Sequence, residues 1–204
     1  YDVVGNLLSV TDPSGAATLF EYNNSDQLIR ISEPNGKITT LTYDARGNRK
    51  SRTDANGNTT LFEYNHTGQL IKVTDAIGGV TTYTYGGSVC TSCGSGGDNL
   101  TSTTDANGNT TIYQYNTTGM LVSETAPMGH TTSYTNDAGG NLISKTDGNG
   151  NTTTYTYDAL NRLTRKSYAD GTSTAFTYDT KGNLLTASNT HITYSYTYDS
   201  NNRI

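Results

Sequence analysis

The chain has 204 residues, of which 32% are hydrophobic and 15% charged, and its formal net charge is −5 at pH 7. This acidic balance, with no cluster of Lys and Arg, argues against a surface for nucleic acid or for anionic membranes. We find no signal peptide and no apolar run long enough for a membrane-spanning helix. The 16 Tyr and 3 Pro differ from the composition of disordered chains, which are poor in aromatic residues.

A short unit recurs along the whole chain. Its first residue, usually Tyr, returns every 21 residues, except for one step of 30 and a final step of 20. We therefore expect residues 1–204 to form a single repeat array that is a segment of a longer chain. Residues 86–97, within the long step, are predicted to be a Cys/Gly-rich loop inserted into the array. The units begin at Tyr1, Tyr22, Tyr43, Tyr64, Tyr85, Tyr115, Asn136, Tyr157, Tyr178 and Tyr198.

The first element of each unit is a predicted strand, represented by residues 59–64. Thr60, Phe62 and Tyr64 fall on one face of this strand because side chains alternate along it. The position before the unit Tyr is polar in every unit that begins with Tyr, as at Glu63. One aromatic face and one polar face are typical of antiparallel sheets, and we expect the face of Phe62 and Tyr64 to be the buried one.

Two turns and a second strand complete the unit. The first turn, such as 44–48, fits a type I turn closed by a Gly in the left-handed region. The second strand, represented by residues 70–74, begins with Leu in most units, with Arg49 as an exception. The second turn, such as 54–58, contains Asn-Gly, which favours a hairpin. The residues assigned a structural role in the repeat are Tyr22, Tyr43, Tyr64, Tyr115, Tyr157, Tyr178, Gly47, Gly57, Gly108, Gly150 and Gly182.

These elements predict an all-β fold of tandem antiparallel β-hairpins, each about 21 residues long. A single hairpin is marginally stable, so neighbouring repeats must bury each other's Tyr and Leu side chains. Sheets also twist with a fixed hand. We therefore expect a continuous, spiralling β-strip that forms the wall of a hollow shell or of a tube.

The repeated motif resembles the YD repeat of the Rhs and YD-repeat proteins. The motif Tyr-Asp-x-x-Gly-Asn-Leu, at residues 1–7 and 178–184, alternates with Thr-Asp-x-x-Gly-Asn-Thr-Thr, as at residues 53–60. The family includes bacterial Rhs toxins, the cocoons of insecticidal toxin complexes and the teneurin shells. The resemblance implies a β-hairpin shell, which in the toxin relatives encloses a variable C-terminal toxic domain. Neither that domain nor the family's autoproteolytic region has a match here, so no catalytic residue carries over.

Cys90 and Cys93 lie in the predicted loop and favour a local disulfide. One Cys-x-x-Cys pair supplies two ligands, whereas a structural zinc site needs four. A thioredoxin-like site would need a βαβ context, which is lacking here. Reduced inert thiols, a metal half-site completed by another chain and redox catalysis remain as alternatives.

No other constellation of residues indicates catalysis. His66, His130 and His191 are scattered, and no Gly-x-Ser-x-Gly motif is present. The Asp-x-Asn-Gly-Asn segments lack the Gly and Glu spacing of a calcium loop, so we interpret them as turns. The Asn-x-Ser/Thr sequons follow from the Gly-Asn-Thr-Thr repeat itself. We therefore expect no enzymatic activity, no cofactor and no metal.

The sequence favours a structural array in the wall of a secreted, extracellular or cell-surface assembly, either a shell or a filament. Its predicted partners are neighbouring repeats or further copies, with no nucleic acid and no membrane span. One alternative is an encapsulating shell segment of an Rhs-type toxin, with the toxic domain outside this chain as its cargo. A second alternative is an adhesin whose Tyr rows stack glycans.

The disulfide hypothesis is tested by thiol labelling. If Cys90 and Cys93 are joined, a maleimide should fail to label the chain without reductant, under both native and denaturing conditions. Labelling should appear after reduction. A free thiol at either position in unreduced material would contradict the hypothesis.

Overall fold

The computed structural model describes residues 1–86 and 99–204, which form strands and turns without any helix. None of these residues therefore belongs to a helix that could cross a membrane. The predicted loop 86–97, apart from Gly86, lies outside the described residues, as do Cys90 and Cys93.

The described residues contain eighteen strands and divide into two compact units. The first unit is Tyr1–Tyr85 with Ser102–Asn109, and the second is Gly86–Thr101 with Thr110–Ile204. β9 (Leu100–Thr104) is divided between them. The first unit contains β1 (Ser9–Thr11), β2 (Ala17–Tyr22), β3 (Leu28–Ser32), β4 (Ile38–Tyr43), β5 (Arg49–Thr53), β6 (Thr59–Tyr64), β7 (Leu70–Thr74) and β8 (Val80–Tyr85). The second contains β10 (Thr110–Tyr115), β11 (Leu121–Thr125), β12 (Thr131–Asn136), β13 (Leu142–Thr146), β14 (Thr152–Tyr157), β15 (Leu163–Ser167), β16 (Ser173–Tyr178), β17 (Leu184–Ser188) and β18 (Thr193–Ser195).

Each strand pairs antiparallel with the next one in sequence, from β1 to β8 in the first unit. The same holds from β10 to β18 in the second unit. The predicted class, all-β with tandem antiparallel hairpins, is therefore confirmed. The predicted strands 59–64 and 70–74 coincide with β6 and β7.

The two faces of the sheet differ in exposure. On the aromatic face, defined by Thr60, Phe62 and Tyr64 with their counterparts, side chains are mostly half-buried. On the polar face, defined by Leu61 and Glu63 with their counterparts, they are mostly exposed, and Leu61 itself is 46% exposed. No described residue is fully buried on either face. The aromatic face, which the sequence predicts to be buried, is thus half-buried.

A bulge occurs beside the end of seven even-numbered strands, where the following strand contains one extra residue. In β4 the register shifts between Thr42 and Tyr43, so that Tyr43 lies opposite Arg49. The shift recurs at the equivalent position of β2, β6, β10, β12, β14 and β16. The extra residue is Lys50 in β5, so the bulge bends the strand that faces Tyr43.

The unit Tyr hydroxyl donates to a backbone carbonyl at or just before the start of an earlier strand. The register of β3 and β4 ends at Arg30 and Thr40, which leaves the Leu28 carbonyl beyond the paired residues. The Tyr43 hydroxyl donates to that carbonyl at 2.8 Å. Tyr22, Tyr157, Tyr178 and Tyr198 make the same bond to Leu7, Leu142, Leu163 and Leu184, at 2.9–3.1 Å. Each Tyr hydroxyl thus closes the open end of a strand pair.

Tyr64 offers a natural control for this hydroxyl bond. The residue fifteen positions before it is Arg49 instead of Leu, and in the described part of the chain Tyr64 makes no equivalent bond. Tyr43→Phe should therefore lower the local stability of β3 and β4, by about 1 kcal/mol for a lost hydrogen bond. Tyr64→Phe should change β5 and β6 much less. Amide hydrogen exchange measures both effects, since repeat arrays open locally. Equal losses in the two variants would contradict the assignment.

Candidate functional site: the turn edge and the aromatic face

The described residues contain no group of three or more His, Cys, Asp or Glu side chains placed to hold a metal ion. His66, His130 and His191 lie in three separate turns. The features that remain are the turns along the sheet edges and the aromatic face.

Both turns of a unit share one geometry, built on their first residue. In the turn 44–48, the backbone N–H of Gly47 donates to the Asp44 carbonyl at 3.1 Å. One carboxylate oxygen of Asp44 accepts the backbone N–H groups of Arg46 and Asn48, both at 2.9 Å. Its other oxygen accepts the Asn48 side-chain amide at 3.0 Å. The turn 54–58 repeats these contacts at 2.9–3.0 Å, so the 21-residue unit consists of two similar halves.

The fourth turn position requires a left-handed backbone. Gly47 has a φ of 90° and Gly57 a φ of 83°, values that L side chains adopt only at a cost. Asp26, Asn161 and Asn202 occupy the same position with φ of 57–59°, which Asp and Asn tolerate better than other side chains. Gly108, Gly150 and Gly182 follow the pattern of Gly47, with φ of 81–94°.

Hydrogen bonds to the turn carboxylates lower their pKa. For Asp44 the largest cause is the side-chain bond from Asn48, with further bonds from backbone N–H groups. The pKa values of Asp54, Asp105, Asp137 and Asp147 are lowered from the ordinary value of 3.8 in the same way. These bonds favour the ionised form, so the turns are held best when the aspartates are charged.

The turns that follow the unit Tyr are also joined to one another, and we call this side of the sheet the turn edge. Asn6 donates to the carboxylate of Asp26 at 2.9 Å, and the Gln27 amide donates to the Gly47 carbonyl at 3.2 Å. The Arg46 guanidinium donates to the carbonyl of His66. In the second unit the equivalent links run from Asn141 to Asn161, from Arg162 to Asp179 and from Asn183 to Asn202, at 2.8–3.2 Å.

The aromatic face carries a central row whose chemistry differs between the two units. In the first unit, Phe20 lies opposite Ile31 and Phe62 lies opposite Val73. In the second unit, charged residues lie opposite Tyr from β10 to β15, and Phe176 lies opposite Ala187 in β16 and β17. The pairs there are Tyr113 with Glu124, Tyr134 with Lys145, and Tyr155 with Lys166. The first row is thus more apolar, although it includes Arg52 opposite Leu41.

Cations lie over several rings of this face. The Arg49 guanidinium is 4.4 Å from the centroid of the Phe62 ring, which accounts for the charged residue where other units have Leu. The Arg162 guanidinium is 4.9 Å from the Tyr178 ring and 2.7 Å from the Asp158 carboxylate. Such contacts contribute about 0.5–1 kcal/mol at exposed sites.

Comparison with known families identifies this arrangement. The family model described as RHS Repeat matches residues 1–38, 22–60, 64–88, 96–131, 136–173 and 157–191. The chain belongs to the RHS repeat family. A search of the curated proteins found no match.

Solved structures share the RHS repeat fold. A crystal structure of TcdB2-TccC3-TEV has a TM-score of 0.57 at 16% identity, and one of TcdB2-TccC3 has 0.56 at 18% identity. Both alignments cover 98% of this chain. A Tc holotoxin pore of Photorhabdus luminescens has a TM-score of 0.55 at 17% identity and covers 99% of this chain. In each case the chain spans 13% of the length of the other protein's chain.

The structure shows where the residues that the sequence assigned to the repeat lie. Tyr22, Tyr43, Tyr64, Tyr115, Tyr157 and Tyr178 are half-buried at the bulged strand ends. The sequence interpretation missed the bond from each Tyr to a backbone carbonyl. The spacing of fifteen residues between Leu28 and Tyr43, which recurs in the equivalent pairs except for the fourteen residues between Leu184 and Tyr198, was the available signal. It also missed the cations over the aromatic rings, which only cross-strand register reveals.

In several turns of these RHS repeats, the side chains of the first and fifth residues are chemically matched. Where the first is Asp, as at Asp44, the fifth is often Asn, whose amide donates to the carboxylate. In two turns the first residue is Asn, at Asn23 and Asn65, and the fifth is Gln at 27 and 69, whose side-chain carbonyl accepts from the Asn amide at 2.7–2.8 Å. The chain thus stabilises the same turn geometry with two different side-chain pairs, Asp with Asn and Asn with Gln.

This match predicts a reciprocal effect of substitution. Asp44→Asn alone should weaken the turn, because the N–H groups of Arg46 and Asn48 lose their charged acceptor and the shorter Asn48 amide must turn over to accept from the new amide. Adding Asn48→Gln should restore stability at neutral pH, since it copies the native pair Asn65 and Gln69. Denaturant unfolding of the two variants beside the unchanged chain measures this coupling. A double variant no more stable than Asp44→Asn would contradict the matching.

The same variants carry a pH signature. Because the pKa of Asp44 is lower in the folded chain, its contribution is present above the ordinary value of 3.8 and is lost as pH falls through the folded pKa. The double variant should therefore lose less stability on acidification than the unchanged chain.

Proposed function

We propose that the chain is a non-catalytic segment of the wall of a hollow extracellular or cell-surface protein shell. The observation that carries this proposal is that no described residue is fully buried on either face of the sheet. A globular domain buries a core between layers, whereas these hairpins form a layer with two accessible faces. In the proposal, residues 1–204 act as one array, with adjacent repeats as its principal partners.

Membership in the RHS repeat family supports the wall function. The structural neighbours include a Tc holotoxin pore. This chain spans 13% of the length of the chain that it matches there. We therefore place the toxic cargo, if the shell is of the toxin-complex kind, outside this chain. A filament built from the same strip is the second candidate, supported by pairing of strands throughout each unit without a closing layer.

Two adjacent threonines of β8 provide a test of the shell. Thr81 pairs with Val73 and lies on the aromatic face, whereas Thr82 pairs with Lys72 and lies on the polar face. Both are half-buried in the isolated chain. Thr81→Cys and Thr82→Cys, each combined with Cys90→Ser and Cys93→Ser, therefore differ chiefly in the face that carries the thiol.

In native full-length material, a shell should let a bulky polyethylene-glycol maleimide label only one of the two cysteines. Both should react after denaturation, which serves as the control for intrinsic reactivity. Equal labelling of the two native variants would contradict a closed shell. Electron microscopy of the same material should then show fibres if the filament is correct.

A further inference from the structure

Four turns contain Asn followed by Gly at their third and fourth positions, and in all four the Asn is exposed. They are the turns of Asn35, Asn56, Asn107 and Asn149. Asn-Gly is a dipeptide prone to deamidation, because glycine has no side chain to hinder attack by its own nitrogen on the Asn carboxamide. Since the four sites share this dipeptide, differences between them must come from the surrounding turn.

The turn 33–37 differs from the other three in its first residue, which is Glu33 instead of Asp. The backbone N–H of Lys37, the fifth residue, donates to the side-chain carbonyl of Asn35 at 3.0 Å. In this part of the chain the structure gives the Glu33 side chain no hydrogen bond. Asn35 thus takes over the acceptor role that the first residue has in the other turns.

The turn 54–58 represents the other three Asn-Gly turns. Here the backbone N–H of the fifth residue, Asn58, donates to the Asp54 carboxylate at 2.9 Å. The corresponding bonds in the turns 105–109 and 147–151 are also 2.9 Å long. Within the described ranges, the carboxamide of Asn56 accepts no hydrogen bond, and the same is true of Asn107 and Asn149.

Deamidation begins when the backbone nitrogen of Gly36, after losing its proton to water, attacks Cγ of Asn35. A C–N bond forms, the bond from Cγ to the amide nitrogen breaks, and that nitrogen leaves as ammonia with a proton from water. Water then opens the succinimide ring at either of its carbonyls, which gives aspartate or isoaspartate. The sequence of steps consumes water alone and involves no oxidation or reduction.

Negative charge develops on Oδ1 of Asn35 during this attack, and the Lys37 N–H is already placed to stabilise it. Donors that are fixed where charge develops act in this way in an oxyanion hole. The Lys37 ammonium lies in the same turn, and the ion pairs among the described residues involve other side chains. In the turn 54–58, by contrast, the Asp54 carboxylate is held against the backbone, where a like charge disfavours the developing anion.

The glycine nitrogens do not distinguish the four sites. In each turn the Gly N–H donates to the backbone carbonyl of the first turn residue, at 2.9–3.0 Å. This bond must break before the nitrogen can attack, so folding slows all four reactions in the same way. The acceptor of the fifth residue's N–H is therefore the contact that separates Asn35 from the others.

We propose that Asn35 is a site of spontaneous deamidation in the folded chain, modified ahead of the other three Asn-Gly sites because the Lys37 N–H activates its carboxamide. The reaction adds a negative charge to the turn. In the isoaspartate product the backbone runs through the former side chain, which lengthens the connection between β3 and β4. The modification requires only access to water, so it does not depend on the wall function.

The test follows all four sites in one sample of the unchanged chain, incubated in mildly alkaline buffer and then digested at slightly acidic pH for peptide mapping by mass spectrometry. Asn35 should convert about fivefold faster than Asn56 in the folded chain, the effect expected of one hydrogen bond. In the urea-denatured chain the four rates should converge, because the contacts of the turns are lost.

Two variants separate the hydrogen bond from the charge of residue 33. In Glu33→Asp, the shorter carboxylate should accept the Lys37 N–H as Asp54 accepts that of Asn58, and Asn35 should slow to the rate of Asn56. The matched control Glu33→Gln removes the same charge without supplying a short carboxylate. It should leave Asn35 the fastest of the four sites.

The proposal is overturned if Asn35 converts no faster than Asn56 in the folded chain, or if the difference persists in urea. An unchanged rate in Glu33→Asp would also overturn it, as would equal slowing in Glu33→Gln. The first two outcomes are measured on the unchanged chain, so they do not depend on the folding of any variant. In the variants, Asn107 and Asn149 serve as internal standards in the same digest.

Discussion

The backbone hydrogen bonds between successive strands are the interaction on which this structure depends. No described side chain is fully buried, so the sheet cannot rely on a sealed hydrophobic core. The pairing register must then be set by the turns, since a slip of one residue would exchange the two faces. The Asp or Asn at the head of the turns, and the left-handed fourth residue, fix that register repeatedly along the chain.

Half-burial on the aromatic face is a consequence of repetition. Phe62 lies opposite Val73 of β7, and the Arg49 guanidinium lies over its ring, so the ring is covered by neighbouring strands but not sealed by a second layer. Near-additive stability is the expectation for such arrays, because each repeat contacts only its neighbours. Tyr43 contributes twice, through its ring on this face and through its hydroxyl on the Leu28 carbonyl.

The sequence predicted the parts of the fold that depend on local chemistry. Alternation at Phe62 and Tyr64 indicated the strand, and Asn56 with Gly57 indicated the turn. Contacts set by the neighbouring strand were not predictable in this way. In the sequence, Arg49 is only an exception to the Leu found at this position. The structure shows that its guanidinium lies over the Phe62 ring. Likewise, nothing in the sequence distinguishes Lys166 from other surface lysines, whereas in the structure its ammonium lies over the rings of Tyr155 and Tyr168. The disulfide hypothesis at Cys90 and Cys93 stays a prediction.

The short reach of the contacts has an evolutionary consequence. The side-chain bonds described above join residues at most 20 positions apart. The matched first and fifth residues of a turn are four positions apart. Duplication or deletion of one whole 21-residue unit by unequal recombination would therefore remake the same contacts at the new junction. An array built this way can change its length without any compensating substitution elsewhere in the chain.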